Sequence, residues 1–244
     1  MNKKVLDILK DSQRKIKNAK FVDKRKSGKI VYAPFYSSIS LKGEQFIHID
    51  VYDGGTTIIE NKWAPHYTGR IEIRMGDYGE GEIASGTFSA PMGLEGKIIS
   101  RYIANEASDV FWDCVEDWEK KHSRKIGYNE NKDKVINFST EKPQKFFDKE
   151  NIFPKEKFDE MEDILKKVTE KLSSHSRIYG VEGRFLANSE ERYFVNSEGS
   201  EIFTNYNRYG IYIVPKAVDE KNLLIPHYAF VFWSTDINKM PSYD

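Results

Sequence analysis

The chain has 244 residues, of which 39% are apolar and 14% aromatic, enough for one large domain or two small ones with a real core. Lys+Arg and Asp+Glu stand at 38 each, so the formal charge is zero. That balance argues against a sequence-independent nucleic-acid binder, which needs a basic excess. A single cysteine, Cys114, excludes an intrachain disulfide framework and a cysteine-based zinc ribbon, and it fits a reducing compartment. Lys3 and Lys4 are not followed by the apolar stretch of a signal peptide, and no window approaches 18 apolar residues. The expectation is a cytoplasmic protein with neither nucleic acid nor membrane as a partner.

In chain order, Val5, Ile8, Leu9 and Ile16 recur at helical spacing and predict an amphipathic helix over 3–20. Its basic cluster (Lys15, Lys17, Lys20, Lys24, Arg25, Lys26) reads more readily as a solvated helix end than as a phosphate site. From Ile30 the period changes to two. Strands are predicted over 31–40, 46–52, 56–60 and 69–75, with turns at Lys42-Gly43-Glu44 and Asp53-Gly54-Gly55. Short loops between them favour antiparallel pairing.

Gly79-x-Gly81-x-x-Ala84 formally matches a dinucleotide fingerprint. Glu80 and Glu82 would repel a pyrophosphate, however, and no helical pattern follows at once, so a loop continuing through 86–96 is expected. Ile99, Ile103, Ala107, Val110, Phe111, Cys114 and Trp118 form one stripe and predict the longest helix, over 97–122, with Cys114 in the core rather than acting as a nucleophile. Residues 123–153 read as a polar surface connection containing a sequon at Asn137. Phe158, Met161, Ile164, Leu165, Val168 and Leu172 predict a helix over 155–174.

Strands then return over 178–187, 192–195, 201–214 and 226–234. Between two of them, Asn196-Ser197-Glu198-Gly199 has the chemistry of a tight turn: an Asn side chain that can bond the backbone ahead, and a Gly at the last position. The segment at 226–234 is almost wholly apolar and aromatic, which suggests burial on both faces or an interface built on Phe230, Phe232 and Trp233. The order of elements makes an α+β fold, an antiparallel sheet with a few long helices packed on one side.

Chemistry-bearing patterns are scarce. The histidines, His48, His66, His122, His175 and His227, form no His-Glu-x-x-His motif and no i, i+4 pair. Ser174 precedes His175 without a nucleophile elbow or an oxyanion context. Carboxylates abound at Asp77, Glu80, Glu82, Asp113, Glu116 and Asp117, and helical carboxylates at this density usually form a solvated face. No residue is singled out as catalytic or as a metal ligand.

Four pieces, in order, carry a resemblance: Arg74-Met-Gly-Asp-Tyr78, Ala107-Ser-Asp-Val-Phe-Trp112 running on to Lys121, Ile136-Asn-Phe-Ser-Thr-Glu-Lys-Pro143, and Arg192-Tyr-Phe-Val-Asn-Ser-Glu-Gly199. Together they resemble the N-terminal half of the TldD/PmbA family of predicted zinc-dependent proteases, also labelled modulators of DNA gyrase. The resemblance implies that residues 1–244 are a single N-terminal domain that shapes the substrate channel and the dimer. The partner would be a like or related TldD/PmbA subunit and the substrate a peptide. It also implies that zinc and the catalytic His-Glu-x-x-x-His helix belong to a C-terminal half absent from this chain. The other reading is a stand-alone protein-interaction domain without peptidase activity.

Overall fold

A computed structural model describes residues 3–23, 30–60, 66–79, 81–91, 96–125, 138, 142–149, 151, 153–219, 221 and 229–243. The described elements run α1 (Lys3–Asn18), β1 (Phe21–Asp23), β2 (Ile30–Tyr32), β3 (Tyr36–Tyr52), β4 (Gly55–Glu60), β5 (His66–Met75), β6 (Glu82–Pro91) and α2 (Gly96–Lys125). They continue with β7 (Lys145–Phe147), α3 (Phe158–Ser173), β8 (Ile178–Asn196), β9 (Glu201–Ala217) and β10 (Phe230–Ser234). β1 and β2 pair with each other. The remaining strands form an eight-stranded sheet in the order β10-β9-β8-β3-β5-β6, with β4 beside β3 and β7 beside β9. β10 pairs antiparallel with β9, β3 with β4 and β5 with β6, while β7 runs parallel to β9. The fold is α+β.

The backbone divides into two compact units whose residues interleave along the chain. Unit 1 holds Met1–Gly43, Pro65–Lys149 and Glu191–Thr204, and unit 2 holds Glu44–Ala64, Glu150–Glu190 and Asn205–Asp244.

In unit 1, α1 and α2 share a core with one face of the strands. Leu9, Ile39, Leu41, Ile71, Ile73, Ile99, Ile103, Phe111, Cys114, Tyr193 and Phe203 are all essentially inaccessible to solvent. The stripe on α2 forms because its apolar positions recur every three or four residues and fall on one side of the helix. Cys114 lies within that stripe, its thiol near the carbonyl oxygens of Ile73 at 3.5 Å and Glu82 at 3.4 Å. Burial pushes the thiol up to about 11, so the neutral, unreactive form prevails at neutral pH. On α1, Lys15 pairs with Asp11 at 2.6 Å and Lys17 donates to the Ser197 carbonyl at 2.9 Å. Lys24, Arg25 and Lys26 lie outside the described residues.

Three departures from the expected pattern in unit 1 have a clear physical cause. Residues 82–91, expected as loop, are strand β6, paired with β5 in register from Met75↔Glu82 to His66↔Pro91. Its small side chains suit a surface over which α2 packs closely, and among the described side chains Phe88 and Ala90 are the buried apolar ones. Lys42-Gly43-Glu44 is no turn, since β3 runs straight through it. A Cβ on Gly43 would stand 2.8 Å from the Tyr67 ring and 3.0 Å from Glu191 Cγ, so the glycine serves a close approach between strands. β7, inside the expected connection, was not foreseen either; it aligns Lys145–Phe147 parallel to Glu201–Phe203.

Glu201 anchors this corner of unit 1. Its carboxylate meets Lys10 at 2.9 Å and Lys145 at 3.1 Å with 16% side-chain exposure. The Lys10 bond holds its pKa below the ordinary value of 4.5, against the opposing effect of burial and with help from Lys145. A carboxyl depressed on folding stabilises the protein above its unfolded pKa, and that contribution is lost as pH falls through the folded value. Glu201→Gln is expected to cost about 0.5–1 kcal/mol at pH 7 and nothing extra below the folded pKa. Urea titrations at pH 7 and at successively lower pH check this, with the difference shrinking as pH falls.

In unit 2, α3 covers Ile47, Ile49, Val51, Phe185, Ala187, Tyr209 and Ile211 through Phe158, Met161 and Leu165. The β3–β4 hairpin closes on Asp53 and Gly54, which take φ values of 46° and 83°. Asp and Gly tolerate that left-handed pair at little cost, which is why this dipeptide turns a two-residue hairpin. Asp53 Oδ1 also accepts the Val181 N–H at 2.7 Å. Across the helix, Thr56 donates to Glu162 at 2.6 Å, and Lys166 pairs with the same carboxylate at 2.7 Å. No helix among the described residues is long and apolar enough to cross a membrane.

Candidate functional site

In unit 1 the turn Asn196–Gly199 is the centre of a dense polar cluster. Asn196 Oδ1 accepts the N–H groups of Glu198 at 3.2 Å and Ser200 at 2.8 Å, and Gly199, at φ 103°, donates its N–H to the Asn196 carbonyl at 3.3 Å. The Asn side chain thus takes up donors that the turn leaves free. Ser197 donates its N–H to the Ser37 carbonyl at 2.8 Å, and its Oγ accepts the Ser37 N–H at 3.1 Å. Glu198 accepts the Tyr78 hydroxyl at 2.5 Å, a bond that raises the pKa of that phenol.

Tyr78 ends the segment that begins at Arg74. The Arg74 guanidinium lies 4.3 Å from the Tyr36 ring and 4.3 Å from the Phe138 ring, and it is held to Glu72 through Nε at 2.9 Å and a second nitrogen at 2.7 Å. A planar cation gripped edge-on by a carboxylate and stacked between rings has little freedom left. Phe138 donates its N–H to the Tyr78 carbonyl at 3.1 Å, and Pro143 is the side chain nearest Gly199. Three of the four sequence pieces set out above therefore meet here, while the fourth, 107–112, lies on α2 with Val110 and Phe111 in the core. The cluster holds a backbone conformation. Among the described residues it presents no nucleophile beside a base.

In unit 2, β10 lies at the end of the strand order, and its burial on both faces is not found. Phe230 is 54% exposed, Val231 45% and Trp233 43%, and only Phe232 leans on the core. Trp233 packs over Gly210, meets Tyr212 edge-to-face at a centroid distance of 5.4 Å, and lies 5.7 Å from the Arg208 guanidinium. On the helix side a groove of about 620 Å³ opens between α3 (Ile164, Val168, Leu172), β9 (Ile211, Ile213) and Phe230. That volume is ordinary for a ligand site, and its lining is apolar.

His48 Nε2 lies 2.7 Å from Asp50 Oδ1, and the same oxygen accepts Arg184 Nε at 2.8 Å; Arg184 also reaches Glu182 at 3.2 Å. The Asp50 carboxylate is thus shared between an imidazole and a guanidinium. Among the described residues no group of three or more His, Cys, Asp or Glu is placed to hold a metal ion. His66 lies in β5 and His175 just beyond α3, His227 is outside the described residues, and the side chain of His122 is not described. Ser174 Oγ donates to the Lys171 carbonyl at 2.7 Å, a helix-end role. Asp77 accepts the Gly79 N–H at 2.7 Å, and the chain enters strand β6 at Glu82, so no helix start stands behind the glycines. A zinc-hydrolase chemistry does not fit the described side chains of this chain by themselves.

Residues 148–237 match the PmbA/TldA metallopeptidase central domain. No curated protein matches the sequence. Among solved structures, the fold is similar to that of a protein from Bacteroides thetaiotaomicron named for modulation of DNA gyrase, with a TM-score of 0.55 and 14% identity over 96% of this chain and 45% of that one. TldE from Thermococcus kodakarensis is similar with a TM-score of 0.52 and 14% identity, over 96% of this chain and 44% of that one. The chain spans less than half the length of either structure, and identity at this level speaks for the fold alone.

Proposed function

We propose that this chain, which belongs to the TldD/PmbA family, is the non-catalytic part of a metallopeptidase: it frames the path of a peptide substrate and helps to form the dimer. The observation that carries the reading is the match of residues 148–237 to the family's central domain, in a chain whose described residues assemble no metal cluster. In this reading zinc and the His-Glu-x-x-x-His helix lie outside these 244 residues, and the chain's own contribution is positioning. The turn cluster around Arg74 and Glu198 and the edge of β10 that has no described strand neighbour are the parts suited to it. An edge strand offers unpaired backbone groups, which bind extended peptides without demanding one sequence. A cytoplasmic setting belongs to the same reading, since a lone buried thiol needs no oxidising compartment.

The second reading, a protein-interaction domain that works without any peptidase, draws on the exposed aromatics Phe230 and Trp233. Light scattering after mixing with a purified zinc-bearing TldD/PmbA subunit separates the two. A stable complex of the two chains supports the first reading. Two separate peaks at micromolar concentration overturn it and favour the second.

A further inference from the structure

We propose that the groove of unit 2 receives the C-terminal end of an extended peptide, with large apolar side chains in the groove and the terminal carboxylate at Lys167 and Lys171. The inference rests on the reading of this chain as a peptide-framing module and adds which end of the peptide is held, and where.

Three observations carry it. First, the groove is lined by Ile164, Val168, Leu172, Ile211, Ile213 and Phe230, which favour aliphatic and aromatic groups and offer no charge of their own. Second, its rim is basic. Pro241 and Ser242 form one lip, and the Tyr243 ring beside them stands 5.9 Å from the Lys167 ammonium and 5.8 Å from that of Lys171. The two lysines lie one turn apart on the exposed side of α3, next in sequence to the lining residues Val168 and Leu172. Among the described residues neither is in an ion pair, whereas the neighbouring Lys166 is taken by Glu162. Two ammonium groups with no ion-pair partner among the described residues, at the mouth of an apolar groove, complement a ligand that is apolar and ends in an anion. Third, β10, whose first residue Phe230 lines the groove, has one strand neighbour among the described residues, β9, and its other edge pairs with no described strand. A peptide backbone can pair with that edge and place alternate side chains inward, which an acyl chain cannot do. These features select a peptide C-terminus over a fatty acid.

The test uses the whole chain and a fluorescein-labelled hexapeptide ending in Leu-Phe-Leu, as the free acid and as the C-terminal amide, with fluorescence anisotropy as readout. The acid is expected to bind about tenfold more tightly than the amide in low salt, and the advantage should shrink as ionic strength rises. Lys167→Gln with Lys171→Gln should abolish the difference between acid and amide and leave the circular dichroism spectrum and melting temperature unchanged, because both side chains are exposed. Val168→Asp should weaken both peptides. Equal binding of acid and amide, or a difference that survives the double substitution, overturns the proposal. So does binding of labelled dodecanoate with no binding of either peptide, which would assign the groove to acyl chains. Complex formation with the zinc-bearing subunit is scored on the same preparation. Loss of peptide recognition with the complex intact rejects the groove assignment alone, and loss of the complex rejects the functional reading.

Discussion

Phe111→Ala lowers the unfolding free energy of this protein by about 3–5 kcal/mol, because an aromatic ring buried in a packed core leaves a cavity that its neighbours cannot fill. Phe111 is 1% exposed, in the stripe of α2 that packs against β5 and β6. The ring also stands edge-to-face with Trp112 at 5.5 Å, and that contact disappears with it. A loss of this size is a large part of the roughly 5–15 kcal/mol that holds an ordinary domain together. Urea unfolding followed by circular dichroism measures it. Ile58→Ala is the control: Ile58 is 44% exposed in β4, and its truncation is expected to cost roughly 0.5 kcal/mol or less. Similar midpoints for the two variants would mean that α2 does not pack as described.

Gly69→Val is the second severe substitution, with an expected loss of about 3 kcal/mol. Gly69 and Phe88 are directly opposed in the β5–β6 hairpin, and the Phe88 ring lies over the glycine so closely that a Cβ there would fall inside it. Phe88 is 7% exposed, so the ring has no free space into which to swing. The same geometry predicts strong coupling. Gly69→Val in a Phe88→Ala background should cost at least about 1 kcal/mol less than in the parent, since the methyl groups then enter the space the ring vacates. Additive losses in that double-mutant cycle would contradict the stacking.

The sequence pattern showed the helices most clearly. An apolar residue every three or four positions is a strong signal over sixteen or thirty residues, and the expected spans 3–20, 97–122 and 155–174 lie close to α1, α2 and α3. At the third, the start is a short 3-10 turn at Lys155–Lys157. Strands with large alternating side chains were equally readable, as in Ile47, Ile49 and Val51 of β3.

What escaped was whatever depends on a distant partner. β6 reads as a loop because Ala84, Gly86 and Ala90 are small, and they are small because α2 lies over them; the helix begins only after the strand ends. Gly43 reads as a turn because a glycine between Lys42 and Glu44 usually is one, and nothing local announces that Tyr67 crosses beside it. β7 draws its pairing from Glu201–Phe203, more than fifty residues further on.

The site was partly legible. Asn196–Gly199 carries its turn chemistry in its own residue types. Its partners Tyr78, Ser37 and Lys17 come from three other segments, and no local pattern joins them. Phe230 and Trp233 stood out by their apolar neighbourhood. Burial on both faces did not follow: Phe230, Val231 and Trp233 are 54%, 45% and 43% exposed. Lys167 and Lys171 were indistinguishable from other helix-surface lysines until Tyr243 was placed beside them.

The most direct measurement is peptide hydrolysis, with zinc content by elemental analysis, for the chain alone and for the chain mixed with a zinc-bearing TldD/PmbA subunit. The account predicts less than about one zinc per ten chains and no hydrolysis for the chain alone, and hydrolysis above that of the isolated subunit once the two are combined. One tightly held zinc per chain together with hydrolysis by this polypeptide alone would contradict it.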